Sequence, residues 1–213
     1  TIDGPSASGK GSLAKALAKE LNFILLDSGL LYRAYSHCFD QSHNHSLAMD
    51  LFSHLKIQSI DHEMHVFENE KDITSILRHE GVAKFASELS SLKETRNNLI
   101  SFQRDLASDY GLVADGRDMG TVVFPDAGTK IFLVADAEVR AKRRFLELQN
   151  AGQEVNMRDL IDDIRLRDEA DKVRQISPLI PAEDSVEVNS SNLTPQEVLK
   201  IVLKIYKDKT KEV

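Results

Sequence analysis

Gly4-Pro5-Ser6-Ala7-Ser8-Gly9-Lys10-Gly11-Ser12 follows the apolar Ile2 and runs straight into Leu13, Leu17 and Leu21, a four-residue spacing that lines one face of a helix. Strand, glycine loop and helix in that order admit few folds. Several backbone N–H groups must converge on phosphate oxygens, and side chains at positions 4 and 9 would obstruct them. The start of the helix adds its partial positive charge at the same point. Lys10 then stands where it would reach β- and γ-phosphates. The pattern GxxxxGK is complete, but Gly11 occupies the position of the usual hydroxyl, which arrives one residue later at Ser12. Direct magnesium ligation by the loop is weakened accordingly. The loop reads as nucleotide-binding. By itself it does not separate a kinase from an ATPase, a GTPase or a nucleotide sensor.

Short apolar runs recur downstream, at Phe23 to Leu26, Leu112 to Ala114, Ile131 to Ala135 and Val186 to Val188, with helical periods between them. Strands alternating with helices predict an α/β fold with a parallel sheet of about five strands covered on both faces. Asp136 ahead of Glu138 to Asn150, and Thr194-Pro195, mark helix starts. Thr1 stands directly before a motif that follows a complete strand, so the sequence is expected to begin within that strand. Residues 37–80 break the alternation: all seven histidines fall there, and Lys56 to Thr74 alternates weakly as a hairpin would. That segment reads as an insert. His43 and His45 with Cys38 lack a metal-site spacing, so a solvated loop is the preferred reading. The lysines from Lys207 to Lys211 read as a frayed, solvated helix end.

Charge narrows the partners. With 27 Lys and Arg against 34 Asp and Glu, the 213-residue chain carries a formal net charge of −7, which disfavours a nucleic-acid polymer while leaving small anions open. No run approaches the ~20 apolar residues of a membrane span. The single cysteine excludes an intramolecular disulfide and fits a reducing compartment, so a cytoplasmic location and no membrane partner are expected.

Further segments sharpen the reading. The GKG[ST] ending resembles nucleoside monophosphate kinases. Asp27-Ser28-Gly29-Leu30-Leu31-Tyr32-Arg33, the stretch from Asp115 to Asp126, and Arg167-Asp168 through Asp171 and Arg174 resemble the bacterial cytidylate kinase family in order and spacing, over nearly the whole chain. The stretch Asp115-Gly116-Arg117-Asp118-Met119-Gly120-Thr121-Val122-Val123-Phe124-Pro125-Asp126 is the most specific. The resemblance implies transfer of the γ-phosphoryl group of ATP to CMP or dCMP, with Mg2+, in a monomer. It also implies three parts: a core of 1–35, 111–152 and 176–213, a monophosphate-binding insertion of 36–110 and a lid of 153–175.

The residues make chemical sense of that assignment. Arg33, Arg117 and Arg174 could converge on the acceptor phosphate, since a guanidinium binds phosphate bidentately and keeps its proton. By resemblance Ser28 sits beside that phosphate with Tyr32 nearby, and Ser87, Arg96 and Asp118 read the cytosine. A carboxylate at Asp118 would accept from the exocyclic amino group that uracil lacks. Asp171 would face the sugar hydroxyls. Arg167, Asp171 and Arg174 stand at i, i+4 and i+7, which puts them on one face of a helix. Lys10, Arg117, Arg167 and Arg174 are the expected catalytic set. The loop residues from Gly4 to Ser12, with Arg143 or Arg144 at the lid hinge, would hold ATP. Asp115 ends an apolar strand, as a carboxylate holding magnesium through water does, or else it caps the bend at Gly116. Ala170 stands where a further lid arginine is expected, and Arg165 reads equally as a ligand or a surface ion pair. The alternatives are another small P-loop kinase, acting on UMP, AMP or a non-nucleotide acceptor, and a catalytically inactive nucleotide-binding regulator.

Overall fold

The computed structural model describes residues 1–107, 111–150 and 152–211. The end of the expected insertion, 108–110, and residues 151, 212 and 213 of the expected core lie outside them. In chain order the elements are β1 (Ile2–Asp3), α1 (Lys10–Leu21), β2 (Ile24–Asp27), α2 (Ser28–Ser42), α3 (His45–Ser53), β3 (Lys56–Ile60), β4 (Glu63–Glu68) and β5 (Lys71–Asp72). They continue with α4 (Thr74–Leu77), α5 (Glu80–Leu89), α6 (Lys93–Asp105), β6 (Leu112–Gly116), a π-helical turn (Met119–Val123), β7 (Ile131–Val134), α7 (Ala137–Asn150), α8 (Met157–Val173), β8 (Val186–Asn189) and α9 (Pro195–Lys211). The five apolar runs are strands of one five-stranded sheet, ordered β2-β6-β1-β7-β8. The expected α/β architecture is present.

The chain forms two compact units, residues 1–16 with 116–213, and residues 17–115. In the first, β1, β7 and β8 pair in parallel, with Ile2 opposite Ile131 and Ile131 opposite Val186. β7 is apolar along its length because both faces are covered, and Ile131 and Leu133 are buried. α7 packs along α8. Thr194 and Glu197 start α9 with reciprocal bonds: the Thr194 N–H donates to Glu197 at 2.8 Å and the Glu197 N–H donates back at 3.3 Å. That helix runs to Lys211 with Lys207 and Lys211 exposed, the helix end expected there, and Lys209 and Lys211 complement the negative end of its dipole.

In the second unit β2 pairs with β6 in parallel. Lys56 to Thr74 folds as predicted into antiparallel strands, in the order β3-β4-β5. The solvated loop expected around His43 and His45 is confined to His43 and Asn44, which are exposed between two helices, whereas His45 is helical and half-buried. His43 ends α2 in the left-handed conformation at φ 50, and Asn44 caps α3 by accepting from the Leu47 N–H at 3.0 Å. His45 exchanges a hydrogen bond with the buried Tyr35 hydroxyl at 2.8 Å. Local polarity suggested solvent, but α2 carries an apolar face of Leu31, Tyr35 and Cys38 that must be covered, and α3 and α5 cover it.

Candidate nucleotide site

The loop after β1 leaves the carboxyl edge of its parallel strands, where open α/β sheets carry ligands. Its carbonyls are tied back. Pro5 accepts from Lys10 Nζ at 2.7 Å, Ser6 from Arg140 Nη1 at 3.1 Å, and Ser8 from Arg143 Nη1 at 3.0 Å and Ser190 Oγ at 2.9 Å. Across a trans peptide the N–H points opposite to the C=O, so the N–H groups of Ser6, Ala7 and Gly9 turn away from those anchors. Ala7 at φ 58 and Gly9 at φ 98 supply the alternation that makes a concave row of donors. Gly4 is obligatory on steric grounds, because a Cβ there would lie 2.1 Å from the Leu133 carbonyl oxygen. The Ser8 hydroxyl is buried without a hydrogen-bond partner among the described residues. An anionic oxygen brought into the loop would satisfy it. Gly11 and Ser12 are exposed in the first turn of α1.

Arginines from α7 therefore do something the sequence did not disclose. Arg140 is almost fully buried; besides Ser6 it donates through Nε to the Ala135 carbonyl at 2.8 Å and through both terminal nitrogens to Asp168 of α8. Arg143 also donates through Nη2 to the Ser190 carbonyl at 2.6 Å, and burial draws its pKa below the ordinary arginine value. Arg144 pairs with Glu147 at 2.9 Å, one turn along α7. The Arg143 contact with Ser8 spans 135 residues of sequence, so no local pattern discloses that the side chain anchors the loop.

On the same unit the specific motif folds around a second carboxylate. Asp3, buried at the end of β1, accepts from the N–H of Met119 at 2.8 Å and of Gly120 at 2.7 Å. Burial raises its pKa against those two hydrogen bonds, and the charge of Asp118 pushes the same way. Asp118, also buried, precedes the π-helical turn, and its carbonyl accepts from Val122 and Val123. Asp171 takes Arg117 Nε at 3.0 Å on one oxygen and Arg174 Nη1 at 3.5 Å on the other. The structure thus brings Arg117, Asp171 and Arg174 together, two cations on one anion. Arg174 does not continue the helical face as predicted: α8 stops at Val173, and Arg174 is extended at φ −60 and ψ 139, its Nε donating to the Ser177 carbonyl. Arg167 is half-buried, one turn before Asp171. Arg165 joins Glu138 at 2.7 Å, with both side chains more than half exposed, as a surface ion pair does. Ala170 is exposed.

Residues 17–115 hold the remaining candidates. Asp27 caps α2 through the Leu30 N–H at 2.9 Å, which sets Ser28 as the first helical residue and Tyr32 one turn later. α6 presents Arg96, Leu99 and Gln103 at the matching spacing. The Arg96 guanidinium lies 5.7 Å from the Tyr32 ring centre, and Nη1 donates to the Ser90 carbonyl at 3.1 Å. Ser28 Oγ bonds Gln103 at 2.6 Å. Arg33 is half-buried on α2 and Ser87 half-buried on α5. Asp115 lies in register with Asp27 on the paired strands. Among the described residues no group of three or more His, Cys or carboxylate side chains is placed to hold a metal ion, and no helix is long and apolar enough to cross a membrane.

Comparison with known proteins agrees with this chemistry. The family model described as cytidylate kinase matches residues 1–208. The cytidylate kinase of Pseudomonas fluorescens strain Pf-5 is 45% identical over 212 residues, covering 95% of this chain and 92% of the relative. That of Pseudomonas putida strain W619 is 45% identical over 208 residues, covering 93% and 91%. That of Stutzerimonas stutzeri strain A1501 is 45% identical over 212 residues, covering 95% and 92%. A match of that extent, on a chain with the tied-back glycine loop and the paired arginines just described, makes it a member of the cytidylate kinase family.

Proposed function

We propose that the chain transfers the γ-phosphoryl group of ATP to CMP or dCMP, giving CDP or dCDP. The observation that carries this reading is one unit holding two anion-directed devices. One is a loop whose carbonyls are anchored away from its N–H groups; the other is the Arg117 and Arg174 pair on Asp171. Guanidinium groups gathered at one carboxylate present planar, permanently charged donors of the kind that binds a phosphate bidentately. Arg33 and Arg167 are assigned to the same clamp, and Ser87, Arg96 and Asp118 to the cytosine. Asp118 accepts from the exocyclic amino group, which gives a physical reason for rejecting UMP.

The attacking group is an ionised phosphate oxygen, so no general base is required. Alignment and charge neutralisation supply the rate. Lys10 leaves the Pro5 carbonyl for the β- and γ-phosphates of ATP. Closure of the lid, with α8 tied through Asp168 to Arg140, excludes competing water. Asp115 would hold a magnesium ion through water, and the ion would offset charge on the transferred group. All assigned residues come from one chain, so the reading needs no second copy.

A coupled ADP-release assay across CMP, dCMP, UMP and AMP tests this directly. Turnover is expected with the cytidine nucleotides. Lys10→Ala lowers kcat by about two orders of magnitude or more, and Asp118→Ala narrows the preference for CMP over UMP by about ten-fold or more. Phosphorylation of another acceptor with CMP inert would overturn the reading, as would tight binding of ATP and CMP without turnover.

A further inference from the structure

The turn Met119–Val123 is wound in π-helical bonds: the Asp118 carbonyl accepts from the N–H groups of Val122 at 2.9 Å and Val123 at 3.1 Å, and the Met119 carbonyl from Phe124 at 2.7 Å. A turn so wound leaves its first N–H groups without partners inside it. Asp118 stands at the N-cap position, where an aspartate ordinarily folds back onto the second or third N–H, but it makes no cap bond to this turn. Asp3 caps the turn, from 116 residues away. Its Oδ1 takes the Met119 N–H at 2.8 Å and its Oδ2 the Gly120 N–H at 2.7 Å. Both carboxylates are almost fully buried. Glycine at position 120 permits the approach, because a Cβ there would stand 3.3 Å from Asp3 Oδ2 and 2.9 Å from Thr1 Oγ1.

We infer that Asp3 is a positioning residue for base selection: by capping the π-helical turn from a distant strand, it turns the Asp118 carboxylate toward the acceptor base and away from its own backbone. The inference rests on the proposed assignment of Asp118 to the cytosine amino group. The two carboxylates compete for the Gly120 N–H, whose one proton is committed to Asp3 at 2.7 Å. Charge adds to the effect. Asp118 acts on Asp3 as one anion on another, and the repulsion is mutual, so a second carboxylate is kept off the start of the turn. Accepting on both oxygens is a carboxylate's pattern that an amide cannot copy, since one N–H of the turn would then meet an NH2 group. Asp3 also stands directly before Gly4, so the strand that opens the phosphate loop carries the cap of the base-reading turn.

The test measures kcat and KM for CMP and UMP in the parent enzyme, Asp3→Asn, Asp118→Ala and the double variant, with KM for ATP and Tm alongside. Asp3→Asn is expected to narrow the CMP to UMP ratio of kcat/KM by about 3- to 10-fold, chiefly through KM for CMP, while KM for ATP stays within about two-fold of the parent. With Asp118→Ala already in place, the same substitution is expected to change the ratio by less than about two-fold, because no carboxylate is left to misdirect. An equal loss on both nucleotides, a rise in KM for ATP in step with that for CMP, or full narrowing in the Asp118→Ala background assigns Asp3 to the fold alone and overturns the inference. If Asp3→Asn does not fold, Gly120→Ala crowds Oδ2 while keeping both carboxylates. A narrowed ratio there supports the inference, and an unchanged one overturns it. A parent enzyme inert toward CMP, or an Asp118→Ala variant that selects CMP as the parent does, would instead remove the reading beneath it, so the two failures are distinguishable.

Discussion

Removing the Asp168 carboxylate should leave the Arg140 guanidinium charged, buried and half-satisfied. Arg140's side chain is 5% exposed and Asp168's 16%, and the pair shares two hydrogen bonds, with two more from Arg140 to the Ser6 and Ala135 carbonyls. Breaking a buried pair from one side costs about 3–5 kcal/mol. For a chain of this length each kcal/mol moves Tm by about 2–4 °C, so Asp168→Ala is expected to lower Tm by about 6–20 °C. The paired replacement Arg140→Met with Asp168→Leu removes the stranded charge and is expected to lose less than Asp168→Ala alone. Glu138→Ala, which breaks the exposed pair with Arg165, serves as the reference and should cost no more than about 1 kcal/mol. Calorimetric Tm values for the four proteins decide the matter. If Asp168→Ala falls by less than about 2 °C, or no more than Glu138→Ala, Arg140 is not the buried anchor described here.

Gly4→Ala should abolish folding or cost more than about 3 kcal/mol, because the clash is with the backbone of the neighbouring strand. Gly9→Ala, whose Cβ meets nothing nearer than Arg143 at 3.8 Å, should cost only its φ strain, about 1–3 kcal/mol, and thermal melts of the two variants compare them. Cys38, buried and with its thiol pushed up to about 12 by burial, should resist iodoacetamide at pH 7.5 until the protein unfolds. Rapid labelling of the native protein would contradict its placement. Bonds from the Thr74 hydroxyl and N–H, and from His65, hold Asp72 at about 2 against an ordinary 3.8. A depressed native pKa means that its stabilisation is full above pH ~4 and lost as pH falls toward 2, so the denaturant midpoints of Asp72→Asn and the parent should converge over that window. A difference that stays constant to pH 2 would refute it.

Much was legible because it is local. A glycine loop between a strand and a helix is written in consecutive residues, since its chemistry is a matter of backbone conformation. The five apolar runs are strands because fully covered parallel strands need uninterrupted apolar residues, and the Thr194-Pro195 helix start is a property of four residues. The ordered motif from Asp115 to Asp126 was enough to point to the family. Polarity misled where packing overruled it, as at His45, which belongs to the helix closing over Tyr35. Periodicity failed at Arg174, which the helical register placed on α8 and which the chain turns out of the helix.

Tertiary structure alone decided how the recognised residues are held. Asp3 reaches a turn 116 residues away, Arg140 a loop 134 residues away, and Gln103 a serine 75 residues away. Arg140 shares a helix face with Arg143 and Arg144 just after a strand, which suggests a ligand nearby, but nothing in a window of neighbours distinguishes an arginine anchoring a phosphate loop from one facing water. The difference is burial. Burial is a property of what the rest of the chain places around a residue, whereas backbone conformation and apolar spacing are carried by the residues themselves.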